Sequence, residues 1–280
     1  MIIKPEIIFE DPDIVVVTKP AGVVSNQADS VKQPSLQEWF IEKYQNQEFA
    51  DNWTRCLPDD FSDEYGTPEE IFAQRQGLVH RLDKNTSGIM VFAKNPGSLL
   101  NLLTQFKLRQ TKKQYLALVH GVFRVPKGTI TAPLARARAD RRKFAVDING
   151  RTAETIYEVV TDYSGFNPDF LATLDPTQVR IFKDAQRFYN QGFSLVRCWP
   201  KTGRTHQIRV HLAHESHPLV GDVTYLGKKR AKIDPLWCER HFLHAESLEF
   251  IHPRTHEPLK FVAQLPPELE KVLSVLVEKQ

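Results

Sequence analysis

The sequence has no run of eighteen apolar residues, about the shortest that crosses a bilayer as a helix, so no membrane span is expected. Cysteine is scarce. Cys56, Cys198 and Cys238 are widely spaced and odd in number, which excludes a disulfide framework and a paired-cysteine metal site and predicts a reducing cytoplasm. The N-terminus, MIIKPEIIFEDPD, enters strand-like sequence at once, without the basic-then-apolar profile of a signal peptide or the Arg/Ser-rich profile of a transit segment. A glycine-rich phosphate loop is missing, because KTGRTH lacks the GxxxxGK[ST] frame. So is a nucleophile elbow, which argues against a serine hydrolase. With no internal repeat and no low-complexity linker, one continuous domain is expected over 1–280.

What is present is ordinary globular composition: 280 residues, 41% hydrophobic and 25% charged. Net charge is only +3 but unevenly spread. Residues 41–71 carry nine acids and two bases, whereas RARADRRK (136–143) carries five bases and one acid. A basic stripe on a nearly neutral chain reads either as a footprint for a polyanion or as a solvated loop.

Periodicity places the elements. EIIFE and DIVVVTK read as strands joined at Asp-Pro, followed by a KPAG turn. LQEWFIEKY suggests a short helix, and CLPDDFSDEYGTPEE reads as loop. GIMVFAK, KQYLALVHGVF, GRTAETIYEVV, FSLVRCWP and HFLHAESLEFIHP read as strands. SLLNLLTQFKLRQ, with Leu99, Leu102, Leu103 and Phe106 at helical spacing, is an amphipathic helix. HQIRVHLAHES and the terminal PPELEKVLSVLVEK are further helices. Residues 175–192 form an inserted helix, with Asp175 as N-cap, Pro176 at the first position and Gly192 at the stop. The mixture lacks a βαβ rhythm and is rich in hairpin signals. The expected class is α+β with a mixed, mostly antiparallel sheet flanked by helices and loops.

Three stretches carry chemistry. In LVHRLDKNTSG (78–88), Asp83 sits between flanks whose apolar residues anchor the backbone in the core. A lone loop aspartate usually caps the next element, but one fixed by buried flanks calls for a partner or a function. Gly88 permits a tight turn or a close approach by another chain segment. In PKTGRTHQIRVHL, Arg204 and Arg209 flank a turn leading into a helix, and an inward Arg there would pair with Asp83 and keep it ionised. In KKQYLALV, Tyr115 opens an alternating strand face, where it is either core or a ring to stack on a nucleobase. His206, His211, His214 and His217 invite a metal reading. Their spacing matches no ligand motif and scatters the rings over more than one helix face, so no metal is assigned.

Taken in order, VVVTKPAGV, LVHRLDKNTSGIMVFAKN, KKQYLALVHG, GRTAETIYEVV, PKTGRTHQIRVHLAHESHPLVGD and LHAESLEFIHP resemble the RluA-type pseudouridine synthase family across nearly the whole chain. The resemblance implies a single catalytic domain that isomerises uridine to pseudouridine in structured RNA, rRNA or tRNA, without cofactor or metal. It implies that Asp83 is the catalytic aspartate, that Tyr115 stacks on the target uracil and serves as base, and that Arg209 pairs with the aspartate. Arg81 would fill the space left by the extruded base, and Leu243 would line the pocket. Relatives often carry an N-terminal S4-type RNA-binding domain, which is expected to be missing here, while the segments 25–77 and 161–192 are longer than usual. A monomer is expected. The alternatives are a catalytically silent RNA-binding protein using the same cleft and a metal-dependent RNA hydrolase using the histidines. On the inserted helix, Arg180, Lys183 and Arg187 share one stripe and Ile181, Phe182, Ala185, Phe188 and Tyr189 the opposite side, so the cationic stripe is expected to meet RNA.

Overall fold

The computed structural model describes residues 5–26 and 34–279, with the backbone alone for 183–188. Strands β1 (Glu6–Glu10) and β2 (Ile14–Lys19) form an antiparallel hairpin. The Asp11 carboxylate shapes its turn by accepting from the Asp13 and Ile14 N–H groups. The β-branched run of β2 is buried on both faces. Helices α1 (Leu36–Tyr44) and α2 (Pro68–Arg75) both start at capping boxes, Ser35 with Glu38 and Thr67 with Glu70. α2 corrects the reading of 56–70 as plain loop. Thr67-Pro68-Glu69-Glu70 carries the N-cap, the N1 proline and the N3 acid of a helix start, and single 3-10 turns at Trp53–Cys56 and Asp63–Tyr65 precede it.

Strand β3 (Ser87–Ala93) is buried throughout, and α3 (Pro96–Lys107) lays Leu99 and Leu102 into the core as the spacing predicts. After β4 (Lys112–His120) come three short strands that periodicity did not reveal: β5 (Lys127–Thr131), β6 (Leu134–Arg136) and β7 (Phe144–Val146). β8 (Glu154–Phe166) runs well into the segment read as an insertion, and α4 (Pro168–Thr173) precedes α5 (Pro176–Tyr189). α5 has the predicted Asp175 cap and N1 proline, and it buries Phe182 and Tyr189. The side chains of Lys183, Ala185, Arg187 and Phe188 lie outside the described residues, and with them the cationic stripe.

The chain continues through β9 (Phe193–Pro200), α6 (Gln207–His214), α7 (Arg230–Ile233), β10 (Leu243–Ile251) and β11 (Pro258–Val262). The C-terminal segment is not one helix. α8 (Pro267–Ser274) stops, and β12 (Leu276–Glu278) pairs with Phe166, Gly165 and Tyr163 of β8, because Leu276 and Val277 are spaced for a strand once an edge is on offer.

Two compact units divide the chain, Met1–Lys113 with Ala245–Gln264 and Gln114–His244 with Leu265–Gln280. In the first, the strand order is β1-β2-β3-β10-β11. Its core joins Ile14, Val16, Val91, Leu99, Leu102, Leu248 and Phe250. In the second, the order is β4-β9-β8-β12, with β5 pairing the first part of β8 on the same edge as β12, and β6–β7 forms a separate hairpin. One face of its sheet packs Leu116, Leu118, Tyr163, Tyr189 and Phe193; the other packs Ala117, Val119, Val196 and α6. The architecture is α+β, and the hairpins β1–β2, β6–β7 and β10–β11 and the pairs β2–β3, β4–β9 and β8–β9 are antiparallel.

Candidate active site

Asp83 sits in the first unit on a reversal that three other segments hold in place. The turn closes with the Thr86 N–H donating to the Asp83 carbonyl at 3.0 Å. The Ser25 hydroxyl brackets the preceding residue, donating to the Leu82 carbonyl at 2.7 Å and accepting its N–H at 3.0 Å. From the other side the KPAG turn grips the Lys84 carbonyl, which accepts from the Gly22 N–H at 2.9 Å and from Lys19 Nζ at 3.0 Å. Lys19 is wholly buried, and its ammonium also donates to the carbonyls of Pro20 and Val23 at 2.9 and 2.8 Å. A buried cation is tolerated only when hydrogen-bonded this fully. Its structural effect is to tie the end of β2 to the residue after Asp83.

The strand on either side is equally constrained. Upstream, Leu78 bridges Phe92, and His80 accepts the Val91 N–H at 3.2 Å through Nε2 while stacking on Phe106. Burial, and after it the charge of Lys113, pushes the His80 pKa down to about 3, so the ring is neutral. Downstream, Gly88 has φ of +122°, and a Cβ there would stand 2.2 Å from the carbonyl oxygen of Ala245. The close approach expected of this glycine is thus to the backbone of β10, and no other residue fits. Asp83 itself is half-buried and Arg81 is exposed.

In the second unit, α6 carries Arg209. Its Nε and Nη2 meet Oδ2 and Oδ1 of Asp222 at 2.7 and 2.8 Å, and both side chains are buried. Burial by itself raises the Asp222 pKa. The hydrogen bonds and charge of Arg209 outweigh it, aided by His241 and the Thr224 N–H, and hold the carboxyl below its ordinary value. The Arg209 guanidinium also lies over the Tyr225 ring at 5.1 Å. Tyr115 is half-buried on β4, opposite Cys198 of β9, and packs against the cluster that contains Ile208 and Leu212 of α6 and Leu243. The second unit therefore gathers Tyr115, Leu243 and the helix bearing Arg209 around one apolar face. The RARADRRK stretch is the loop of the β6–β7 hairpin, with Arg138, Arg141 and Arg142 exposed.

The histidines of the helix region do not converge. The His206 Nδ1 meets the Tyr225 hydroxyl, both ring nitrogens of His211 are engaged by Thr155 and the Ala132 carbonyl, His217 bonds the His120 carbonyl, and His214 is exposed. Among the described residues, Asp11, Asp13 and His252 bring ligand-type atoms within 4.8 Å of one another. Arg254 forks onto both oxygens of Asp13 and His252 bonds Asp11 at 2.7 Å, so this trio reads as an ion-pair knot.

Sequence reasoning missed Lys19, Ser25, Asp222 and Tyr225. Lys19 had a signal, a lysine closing an otherwise unbroken β-branched strand. Asp222 and Tyr225 follow an apolar PLVG stretch and carry no local pattern that distinguishes them from turn residues.

The first unit thus holds a carboxylate on a clamped reversal, and the second holds a buried arginine set by its own acid and an exposed basic hairpin, in an α+β architecture. The sequence model described as RNA pseudouridylate synthase matches residues 13–214. The chain is 33% identical over 280 residues to ribosomal large subunit pseudouridine synthase D of Xanthomonas campestris pv. campestris, covering 97% of this chain and 69% of that protein. It is 32% identical over 271 residues to the uncharacterized RNA pseudouridine synthase YlyB of Bacillus subtilis, covering 97% and 72%. In fold it is similar to the human RNA pseudouridylate synthase domain containing 4 structure, with a TM-score of 0.63, 21% identity and coverage of 98% and 94%. The chain belongs to the RNA pseudouridylate synthase family, isomerases that act on RNA. No helix among the described residues is long and apolar enough to cross a membrane.

Proposed function

We propose that the protein converts one uridine of a structured RNA to pseudouridine, that this RNA is ribosomal, with tRNA as the other candidate, and that it does so as a cytoplasmic monomer without metal or organic cofactor. Residues 1–280 are taken to serve one catalytic domain. The reaction breaks the N1–C1′ bond, turns the uracil, joins C5 to C1′, removes the C5 proton and returns a proton to N1. Nothing is oxidised. In this reading the Asp83 carboxylate is the nucleophile or proton acceptor. Arg209 supplies the cation that keeps it ionised. Tyr115 stacks on the extruded base and its hydroxyl takes part in proton removal. Arg81 fills the vacated stack and Leu243 lines the base pocket. Extruding the base costs a few kcal/mol in a duplex and less in a loop, which favours a loop uridine.

The observation that carries the reading is the clamp on the Asp83 turn. Lys19, Ser25 and Gly22 together hold the backbone on both sides of one carboxylate, which serves positioned chemistry and is more than a loop cap needs. The name of the Xanthomonas relative, ribosomal large subunit pseudouridine synthase D, supports ribosomal RNA as the substrate.

The test is conversion of in vitro transcribed ribosomal and transfer RNA by the purified protein in excess EDTA, mapped by carbodiimide-dependent primer-extension stops. New stops at one or a few uridines of ribosomal RNA are expected, and Asp83→Asn should abolish them while leaving RNA affinity intact. Asp83→Asn turnover within about tenfold of wild type, roughly 1.4 kcal/mol of barrier, would remove Asp83 from the chemistry. RNA cleavage that EDTA suppresses would instead point to a metal-dependent hydrolase.

A further inference from the structure

Tyr225 is joined to three parts of the second unit. Its hydroxyl accepts the Phe144 N–H of β7 at 3.0 Å and meets His206 Nδ1 at 2.8 Å. Its ring carries the Arg209 guanidinium. A second link runs beside it. Lys143 Nζ donates to the Thr224 carbonyl at 2.6 Å, and the Thr224 N–H donates to Asp222 Oδ1 at 3.1 Å, the oxygen that holds Arg209 Nη2.

Both links begin at the foot of the same hairpin. Lys143 and Phe144 close the basic loop, where the Ala137 N–H bonds the Lys143 carbonyl and Arg136 lies over the Phe144 ring. The hairpin is also seated on the helix that carries Arg209: Leu134 and Ala153 pack with Val210, and Phe144, Val146 and Tyr225 cover them. The exposed arginines of the loop are suited to phosphates, and the loop they sit on is closed at its base by Lys143 and Phe144.

We propose that Tyr225 is a positioning residue that couples the seating of RNA on the 136–143 hairpin to the setting of Arg209. This rests on the pseudouridine synthase reading above and on Arg209 acting in it. Phosphate contact fixes the hairpin, the Phe144 N–H fixes the Tyr225 hydroxyl, and the ring fixes the guanidinium plane in the fork of Asp222. An RNA that reaches the hairpin is then processed faster once bound, and an RNA too short to reach it is bound and processed without that gain.

The experiment is a double-mutant cycle on single-turnover rate at saturating RNA, with affinity measured separately. The variants are Tyr225→Phe, which keeps the ring over Arg209 and removes the hydroxyl, the hairpin triple Arg138→Gln, Arg141→Gln and Arg142→Gln, and their combination. Each is assayed on a long RNA and on a minimal stem-loop. On the long RNA, Tyr225→Phe is expected to slow the saturating rate at least fivefold with Kd within twofold. The triple should slow it similarly while also weakening binding, and the combination should be no slower than the slower parent. On the stem-loop, the triple should leave the saturating rate unchanged. Multiplying losses in the combination, or a Tyr225→Phe rate within twofold of wild type, overturns the coupling. If Tyr225→Phe fails to fold, Tyr225→Trp, which also presents an aromatic face to Arg209 and lacks the hydroxyl that accepts the Phe144 N–H, is read by the same cycle and the same criteria. Wild-type protein that forms no pseudouridine on either RNA overturns the proposed function instead, so the two failures are distinct.

Discussion

Arg209 and Asp222 meet edge to edge, with two charge-assisted hydrogen bonds at 2.7 and 2.8 Å in a buried setting. Such a pair contributes little net stability relative to an apolar one, but breaking it leaves a charge stranded. Asp222→Ala should therefore lower stability by about 3–5 kcal/mol in denaturant unfolding. Asp222→Asn, which preserves shape and loses charge, should lose less stability and still slow turnover about tenfold, about 1.4 kcal/mol of barrier. An Asp222→Ala midpoint equal to wild type would show that the fork does not hold the arginine.

Lys19 is expected to matter for turnover although it is buried. Lys19→Met keeps a buried side chain of similar length but leaves the carbonyls of Pro20, Val23 and Lys84 without their shared donor. Stability should fall by about 3 kcal/mol, and the saturating rate should fall about tenfold with RNA affinity within about twofold. A destabilised variant with wild-type turnover would make Lys19 a fold residue only.

Tyr115 separates two roles by two substitutions. Tyr115→Phe keeps the ring, so RNA binding should persist while the rate falls. Tyr115→Leu loses ring and hydroxyl, and binding should weaken by about 1–3 kcal/mol, the range for one stacked base. Wild-type rates in both would leave Tyr115 as a member of the α6 cluster and nothing more.

The pH dependence of stability should carry the mark of His80. Its pKa in the folded chain, pushed down to about 3, lies below the unfolded value of about 6.5. Between those values the unfolded chain binds one more proton, so this contribution is complete above about pH 6.5 and shrinks as pH falls, by about 1.4 kcal/mol per pH unit. His80→Gln, which can still accept the Val91 N–H, should flatten the slope between about pH 4 and 6 in denaturant titrations. Asp11, Asp13 and Asp222 are held below the ordinary carboxylate value, so their contributions are present above about pH 4 and are lost only on further acidification. An identical slope in wild type and His80→Gln would mean that His80 titrates normally.

Much of the architecture was legible from local pattern. The unbroken β-branched run of Ile14–Val17, the alternation after Tyr115 and the Asp175-Pro176 helix start each depend on neighbours a few residues apart, and each appears where the pattern places it. Thr67-Pro68-Glu69-Glu70 was equally local and was read as loop because the acids around it masked a short helix. Asp83 stood out because its flanks are apolar and its motif is compact. β6 and β7, three residues each, were too short for a period to show.

By itself, then, the sequence determined the α+β class and most element positions and singled out Asp83 as the candidate acid, all from contiguous residues. Tertiary structure alone decided what holds that acid and what sets the arginine. Lys19 reaches a carbonyl 65 positions away and Phe144 a hydroxyl 81 positions away. Arg209 and Asp222, 13 apart, meet only because the chain turns back after α6. No periodicity spans such distances. Those partners are selected by where the backbone brings buried polar groups together, since each must find a hydrogen-bond partner once water is excluded.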